Sequence, residues 1–365
     1  MSKVHKLIFP KDGRTNFYFL LKERVTPIII RDKRKVAITR NLKLIVYPLL
    51  CMLIYYFLLH SRSLLSFYFF YAMMGLMLPV VVLNIVHDAV HKCLFENQKA
   101  NKIAACMLDL MGGNSYVWSK RHVQFHHTYP NIPGWDVDLE SKKFFRLAPT
   151  DPVRKAFRFQ HFYMPVVYLL FTFHWLVFRD FKDYFQKSSM FRRHGNVASA
   201  EYAKLILFKL FYFSYIIAVP ALVLPFPWYD YLLAFLLLHA VASFIALMII
   251  LPNHWDEHAE FRFPDDAGQM PESWALHQLI TTNDFGTRQP VFNMLFGCLN
   301  HHVAHHLFPS LAHTYLPAIT REVVKIAKEQ SLPYKCFSFG GALSSHFRLL
   351  KNNGFDKNIL NEDML

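Results

Sequence analysis

Eleven of the chain's twenty histidines stand in four tight groups. His87 and His91 lie in Val86-His-Asp-Ala-Val-His-Lys92, and His122, His126 and His127 in Arg121-His-Val-Gln-Phe-His-His-Thr128. His254 and His258 follow Asn253, and His301, His302, His305 and His306 lie between Asn300 and Leu307. Neutral imidazole is a ligand for iron, copper, zinc or nickel. One zinc ion takes about four protein ligands, and this set offers more than twice that, which argues for two metal ions. Residues three or four apart share a helix face. On that spacing His87 with His91, His122 with His126, and His302 with His305 and His306 each aim at one point. The His-Glu-x-x-His of zinc proteases is absent, as is the Glu-x-x-His of soluble four-helix di-iron proteins. An all-histidine pair of irons, poised for oxygen chemistry, fits best. Asp88, Asp136 and Asp138 are the carboxylates placed to orient imidazole N–H groups from behind.

A lone histidine is ordinarily a hydrogen-bonded structural residue. That reading is applied to His5, His60, His161, His174, His194, His239, His277, His313 and His346. His239 falls inside an apolar run, where an ionisable group is suspect, but neutral imidazole is tolerable there.

The elements that must position these groups are membrane helices. Hydrophobic residues make up 53% of the chain, with 36 Phe and 18 Tyr, and they come in long runs. Four spans are expected: about 44–59, 64–86, 205–224 and 231–251. The second, near 34 Å long at about 1.5 Å per residue, ends at His87, and the fourth ends just before His254. Lys209 in the third span is expected to snorkel to the interface. The stretch 162–178 contains Pro165 and His174 and is flanked by basic segments. If it crossed the bilayer, the histidine groups before and after it would lie on opposite faces, so an interfacial position is expected.

Charge supports this topology. Residues 1–43 hold 12 Lys and Arg and residues 87–204 hold 17, whereas the turn at 225–230 holds none. By the positive-inside rule both termini and the central segment are cytoplasmic, leaving two helical hairpins with short outer turns. The formal charge of +14 is then that of a membrane-protein surface; no nucleic-acid-binding signature accompanies it. Five cysteines without a CxxC pair argue against a disulfide framework or a cysteine metal site. The charged segment Met1–Lys43 is not a cleavable signal peptide. The expected organisation is a basic N-terminal segment (1–43), a catalytic membrane domain (44–335) and a C-terminal tail (336–365).

The sequence resembles the membrane fatty acid desaturase family, most closely its bacterial acyl-CoA (linoleoyl-CoA-type) branch. The resemblance rests on HDAVH (87–91), HVQFHH (122–127) and HVAHH (302–306). It rests also on Trp118, the run from His127 to Asp138, Trp274–Thr282, and Gly297–Pro309. It covers roughly residues 15–335. It implies an all-α integral membrane protein with four spans under a cytosolic helical cap that holds two irons. It implies ligands at His87, His91, His122, His126, His127, His302, His305 and His306, with a ninth at His254 or, alternatively, His258. Asn253 is implied as a holder of a bridging water, and His301 as a neighbour behind the ligands. Val123 replaces the Asn common in the second box. His302 stands where front-end enzymes carry Gln, and no fused cytochrome b5 domain accompanies the boxes. These departures argue against front-end regioselectivity.

The implied reaction is O2-dependent removal of two hydrogens from an acyl chain, carried by CoA or by a lipid, with two Fe2+ ions as cofactor. A bacterial inner membrane is the implied setting. No GxGxxG, haem or iron–sulfur motif is present, so electrons must come from a ferredoxin or a cytochrome b5-like protein. The same boxes could serve a hydroxylase or ketolase. A metal transporter would place its ligands at the bilayer midplane instead.

Overall fold

The computed structural model describes residues 7–11, 17–140, 144–193 and 196–355; His5 and His194 lie outside them. Four helices are long and apolar enough to cross a membrane: Phe17–Leu59, Leu64–Val90, Ser199–Val223 and Trp228–His254. Apolar residues exposed to the surroundings, such as Leu49, Met52, Leu53, Leu207 and Leu233, suit a lipid-facing surface. The chain is an integral membrane protein of four spans with almost no sheet. A two-stranded parallel pair, Asp284–Phe285 against Cys336–Phe337, is the sheet found among the described residues.

The second and fourth spans form the central crossing. A Cβ on Gly75 would sit 2.4 Å from the Leu238 carbonyl oxygen, so only glycine lets the backbones approach this closely. The second span does not stop at residue 86. It passes through a π-helical segment, Val82–Val86, and continues to Val90. Such bulges are short and often mark functional sites. Here Asn84 sits inside the bulge and donates to the carbonyls of Val80 and Leu295, both at 2.9 Å.

Lys209 does not snorkel. It is buried, and its ammonium donates to Asp180 Oδ2 and to the Gly112 carbonyl, each at 2.5 Å. A buried partner carboxylate and carbonyl satisfy the charge where it stands, so the side chain need not reach for water.

The stretch expected to lie flat in the interface is a bent pair, Lys155–Tyr168 and Phe171–Arg193, at 77°. At the bend Thr172 bonds Ser243 (2.8 Å) and the His239 carbonyl (3.0 Å) on the fourth span. Ser243 precedes His254 by eleven residues, about 16 Å along a helix. The arm thus dips beside the fourth span and returns. Its two ends lie on one side, because His126 before it and His254 after it meet in one site.

The cap closes over the histidine-bearing ends of the spans. Phe17, Leu21, Val25 and Val36, on the N-terminal half of the first long helix, share a core with Leu307, Ile319 and Val323. The amphipathic helix Leu316–Glu329 supplies the last two. At the other end, helix Phe339–Gly354 packs on the arm and the fourth span. Gln160 donates to the Leu350 carbonyl at 2.6 Å, and His346 bonds Tyr168 and the Trp255 carbonyl. Both terminal regions therefore brace the cap.

Replacing Lys209 with Met leaves the Asp180 carboxylate buried and unpaired, at an expected cost of about 3 kcal/mol. Thermal unfolding of purified protein should show a clear fall in Tm, much of it recovered in the Lys209→Met/Asp180→Leu double variant. A single variant as stable as the parent would contradict the burial argument.

Candidate metal centre

Imidazoles from four separate segments converge at the C-terminal ends of the second and fourth spans. They form two groups, each with one nitrogen per ring mutually within 4.8 Å: His87, His91, His122 and His305; and His126, His254, His302 and His306. All are buried except His122, which is half-buried. His127 lies between the groups. Its Nε2 is 3.2 Å from His122 Nε2, and its ring is 4.5 Å from His305 and 4.3 Å from His306.

The partition differs from the helical-face expectation. His122 and His126 do not aim at one point, because Lys120–His126 is π-helical. In that winding the neighbour one turn on is five residues away. His122 therefore pairs with His127, whose N–H donates to the His122 carbonyl at 3.0 Å, while His126 joins the other group. The third box splits as well. His302 and His306, one α-turn apart, face one group, and His305 faces the other.

Hydrogen bonds on the outer nitrogens fix which inner nitrogens are bare. His254 Nδ1 faces the Thr281 carbonyl at 3.1 Å, so it carries the proton and Nε2 does not. His306 Nδ1 likewise donates to Gln278 Oε1 at 2.8 Å. His126 Nδ1 donates to Asp136, whose two oxygens are each 3.3 Å away. Three of the four Nε2 atoms in this group are thus lone pairs pointing inward. His254 Nε2 lies 3.0 Å from His126 Nε2 and 2.7 Å from His302 Nε2. In the other group, the buried Nε2 atoms of His91 and His305 have no protein hydrogen-bond partner. Buried polar atoms are nearly always satisfied, and a cation in each group would satisfy these. The residues present fit two metal ions.

Electrostatics points the same way. Burial pushes His91, His127, His302, His305 and His306 well below the usual imidazole range, and neighbouring imidazoles add to the effect. These rings are neutral, the form a metal binds. For His126 burial also opposes charge, but the Asp136 carboxylate outweighs it and moves the ring up. That carboxylate is itself held by the backbone N–H groups of Asn131 (3.0 Å) and Asp138 (2.9 Å). Asn131 adopts φ +55°, which asparagine tolerates, and its amide also donates to the His254 carbonyl at 3.1 Å.

Of the remaining expected residues, Asp138 is 3.6 Å from His126 Nδ1. Asp88 Oδ1 is 3.8 Å from His87 Nδ1. Asn253 is buried and donates to the Leu299 carbonyl, leaving its Oδ1 without a protein partner. His258 is brought to neither group. It is half exposed and stacks on Phe337. His301 turns away to Thr320 Oγ1 (3.1 Å) and Asn293 Oδ1 (3.2 Å).

Sequence reasoning assigned no role to Gln278, Thr281 or Asn131, although they lie in segments flanking the boxes. His313, read as merely structural, bonds Asp88 Oδ2 at 2.8 Å. His239 is satisfied on both nitrogens, by Thr172 and Tyr212, each at 3.0 Å. With no unsatisfied ligand there, the midplane arrangement of a transporter has no support.

A family model described as Fatty acid desaturase matches residues 62–338. The sn-1 linoleoyl-lipid 6-desaturase of Synechocystis sp. is 30% identical over 277 residues, covering 74% of this chain and 76% of the relative. The protein of the same name from Arthrospira platensis is 28% identical, covering 76% and 75%. The acyl-lipid (8-3)-desaturase of Physcomitrium patens is 29% identical, covering 80% and 62%.

Removing the Gln278 acceptor frees the tautomer of His306. In Gln278→Leu, metal affinity at the second group should fall roughly 10- to 100-fold, while Gln278→Glu should keep most of it. Competition with a graded series of chelators measures both. Equal retention in the two variants would exclude the role.

Proposed function

The chain belongs to the fatty acid desaturase family, and from that premise we propose a specific working form for a membrane fatty acyl desaturase. Two irons are held by nine histidines: His87, His91, His122, His127 and His305 on one side, and His126, His254, His302 and His306 on the other. The observation that carries this reading is the inward convergence of bare Nε2 atoms whose outer nitrogens are fixed by Thr281, Gln278 and Asp136. Asn253, with its unpartnered Oδ1, is proposed to hold a water beside the metals.

When bound, the irons supply the O2-dependent oxidation of an unactivated methylene pair. The balance is one O2, two hydrogens from the acyl chain, two electrons and two protons, giving a double bond and two waters. The protein's part is position and dryness. Asp136, Gln278 and the Thr281 carbonyl lock three rings, and Trp118 stacks on His122 with centroids 5.3 Å apart. The buried ligand shell keeps bulk water out. Since no motif for a resident redox group stands in the chain, the electrons are proposed to come from a ferredoxin or cytochrome b5-like protein. An acidic carrier suits the +14 charge.

Further features of the substrate follow from the relatives. They are named for lipid-linked acyl chains and for double bonds at positions 6 or (8-3). We propose a lipid-linked, already unsaturated acyl substrate, with the new bond placed toward the carboxyl end. This reading takes the lipid from the two carriers left open above and sets aside the argument drawn from His302 against front-end chemistry. The excess of Lys and Arg at the inner ends of the spans supports cytoplasmic termini.

Expression in a host lacking the activity, with fatty-acid profiling and double-bond location, tests the proposal. The expected product is two mass units lighter than its precursor, with the new bond on the carboxyl side of an existing one. It should vanish in His305→Ala. A product sixteen units heavier would reassign the chain as a hydroxylase.

A further inference from the structure

Outside the metal centre, a cavity lies between the inner half of the first long helix and the loops that follow the first and third histidine boxes. Its volume is about 320 Å3. Its rim carries Lys33, Arg40 and Lys92, and its floor is Asn84, Asp88 and His313. Glu96 is the carboxylate on that rim. It lies 3.6 Å from Lys33 with both side chains exposed, a pairing that neutralises little. Arg34, Lys35 and Lys99, neighbours in sequence of the lining residues, are exposed as well.

Two observations tie this mouth to the metals. First, its floor is joined to a ligand. Lys43 donates to His313 Nε2 at 2.7 Å, so His313 Nδ1 carries the proton that it donates to Asp88 Oδ2 at 2.8 Å. The other oxygen of Asp88 is 3.8 Å from His87 Nδ1. Asp88 therefore both lines the cavity and stands behind a ring of the first group. Second, Lys92 holds φ +62°. A glycine would adopt that conformation without strain. A lysine kept there puts a charge on the rim against its backbone preference, and such outliers cluster at functional positions.

Resting on the desaturase reading above, we propose that this cationic mouth is the docking site of an acidic one-electron carrier protein, with His313 and Asp88 as the link to His87. The carrier is oxidised twice per turnover, and its two electrons complete the reduction of O2 to two waters. Charge sets the partner. An acidic face is drawn to Lys33, Arg40 and Lys92 at a distance, which raises the encounter rate and makes it salt-dependent. The recess lets the redox edge of the carrier approach more closely than a flat surface would.

The test uses the full chain, iron-loaded and in nanodiscs, with an acidic plant-type ferredoxin reduced by its reductase and NADPH. A parallel assay reduces the desaturase directly with dithionite and follows a single turnover without any carrier. In Lys33→Glu/Lys92→Glu, KM for ferredoxin should rise about tenfold, and its dependence on ionic strength should flatten. Single turnover and KM for the acyl substrate should not change. Lys187→Glu, at an exposed residue that does not line the cavity, should leave all readings alone. Unchanged ferredoxin KM in the double variant would overturn the assignment. So would a rise in KM for the acyl substrate instead, which would make the cavity a headgroup site. Loss of the carrier-free turnover would also overturn it, because docking charges play no part there. A parent protein with no single turnover at all would instead refute the desaturase reading.

Discussion

The structure depends on one constraint: a set of neutral imidazoles is buried together with lone pairs facing inward. Without a cation the arrangement is unfavourable. His254 Nε2 cannot donate to either of its neighbours at 3.0 and 2.7 Å while Nδ1 is committed to the Thr281 carbonyl. The packing of the spans and the cap holds these rings in place against that repulsion. The fourth span delivers His254 at its last residue, the second span delivers His87 and His91, and the cap core holds the third box by Val303, Ala304 and Leu307.

Two π-helical segments make the double site possible. An uninterrupted α-helix through 82–91 would rotate His87 and His91 away from their present direction. One through 120–127 would place His122 and His126 in the same group. The bulges are stabilised by ordinary hydrogen bonds, as Asn84 shows with its two backbone acceptors. Close backbone approaches then set the distances between segments. A Cβ on Gly297, at φ +58°, would sit 2.2 Å from the Leu83 carbonyl, so the loop leading to the third box rests directly on the bulge of the second span.

The four spans and the histidine boxes were legible because hydropathy and tight histidine spacing are local signals. What stayed hidden was non-local. Lys209 reads as an interfacial lysine until Asp180, on another segment, is seen beside it. The division of the rings into two groups was misjudged because π-winding leaves no mark in a sequence. His313 looked like any isolated histidine, since its partner Asp88 is 225 residues away. Gln278 sits in a quoted motif, but nothing local says that its amide oxygen meets His306. The bent arm was read as one interfacial element because its break, near Leu169 and Leu170, lacks glycine and falls after Pro165 without interrupting the apolar run.

The central claim is that two buried groups of imidazoles each bind one metal ion. Metal analysis of the purified, iron-supplied protein tests it most directly, in the parent and in variants that cut one group at a time. The account predicts two irons per chain in the parent and about one in His91→Ala or His302→Ala. A parent that binds a single metal, or variants that still bind two, would contradict it.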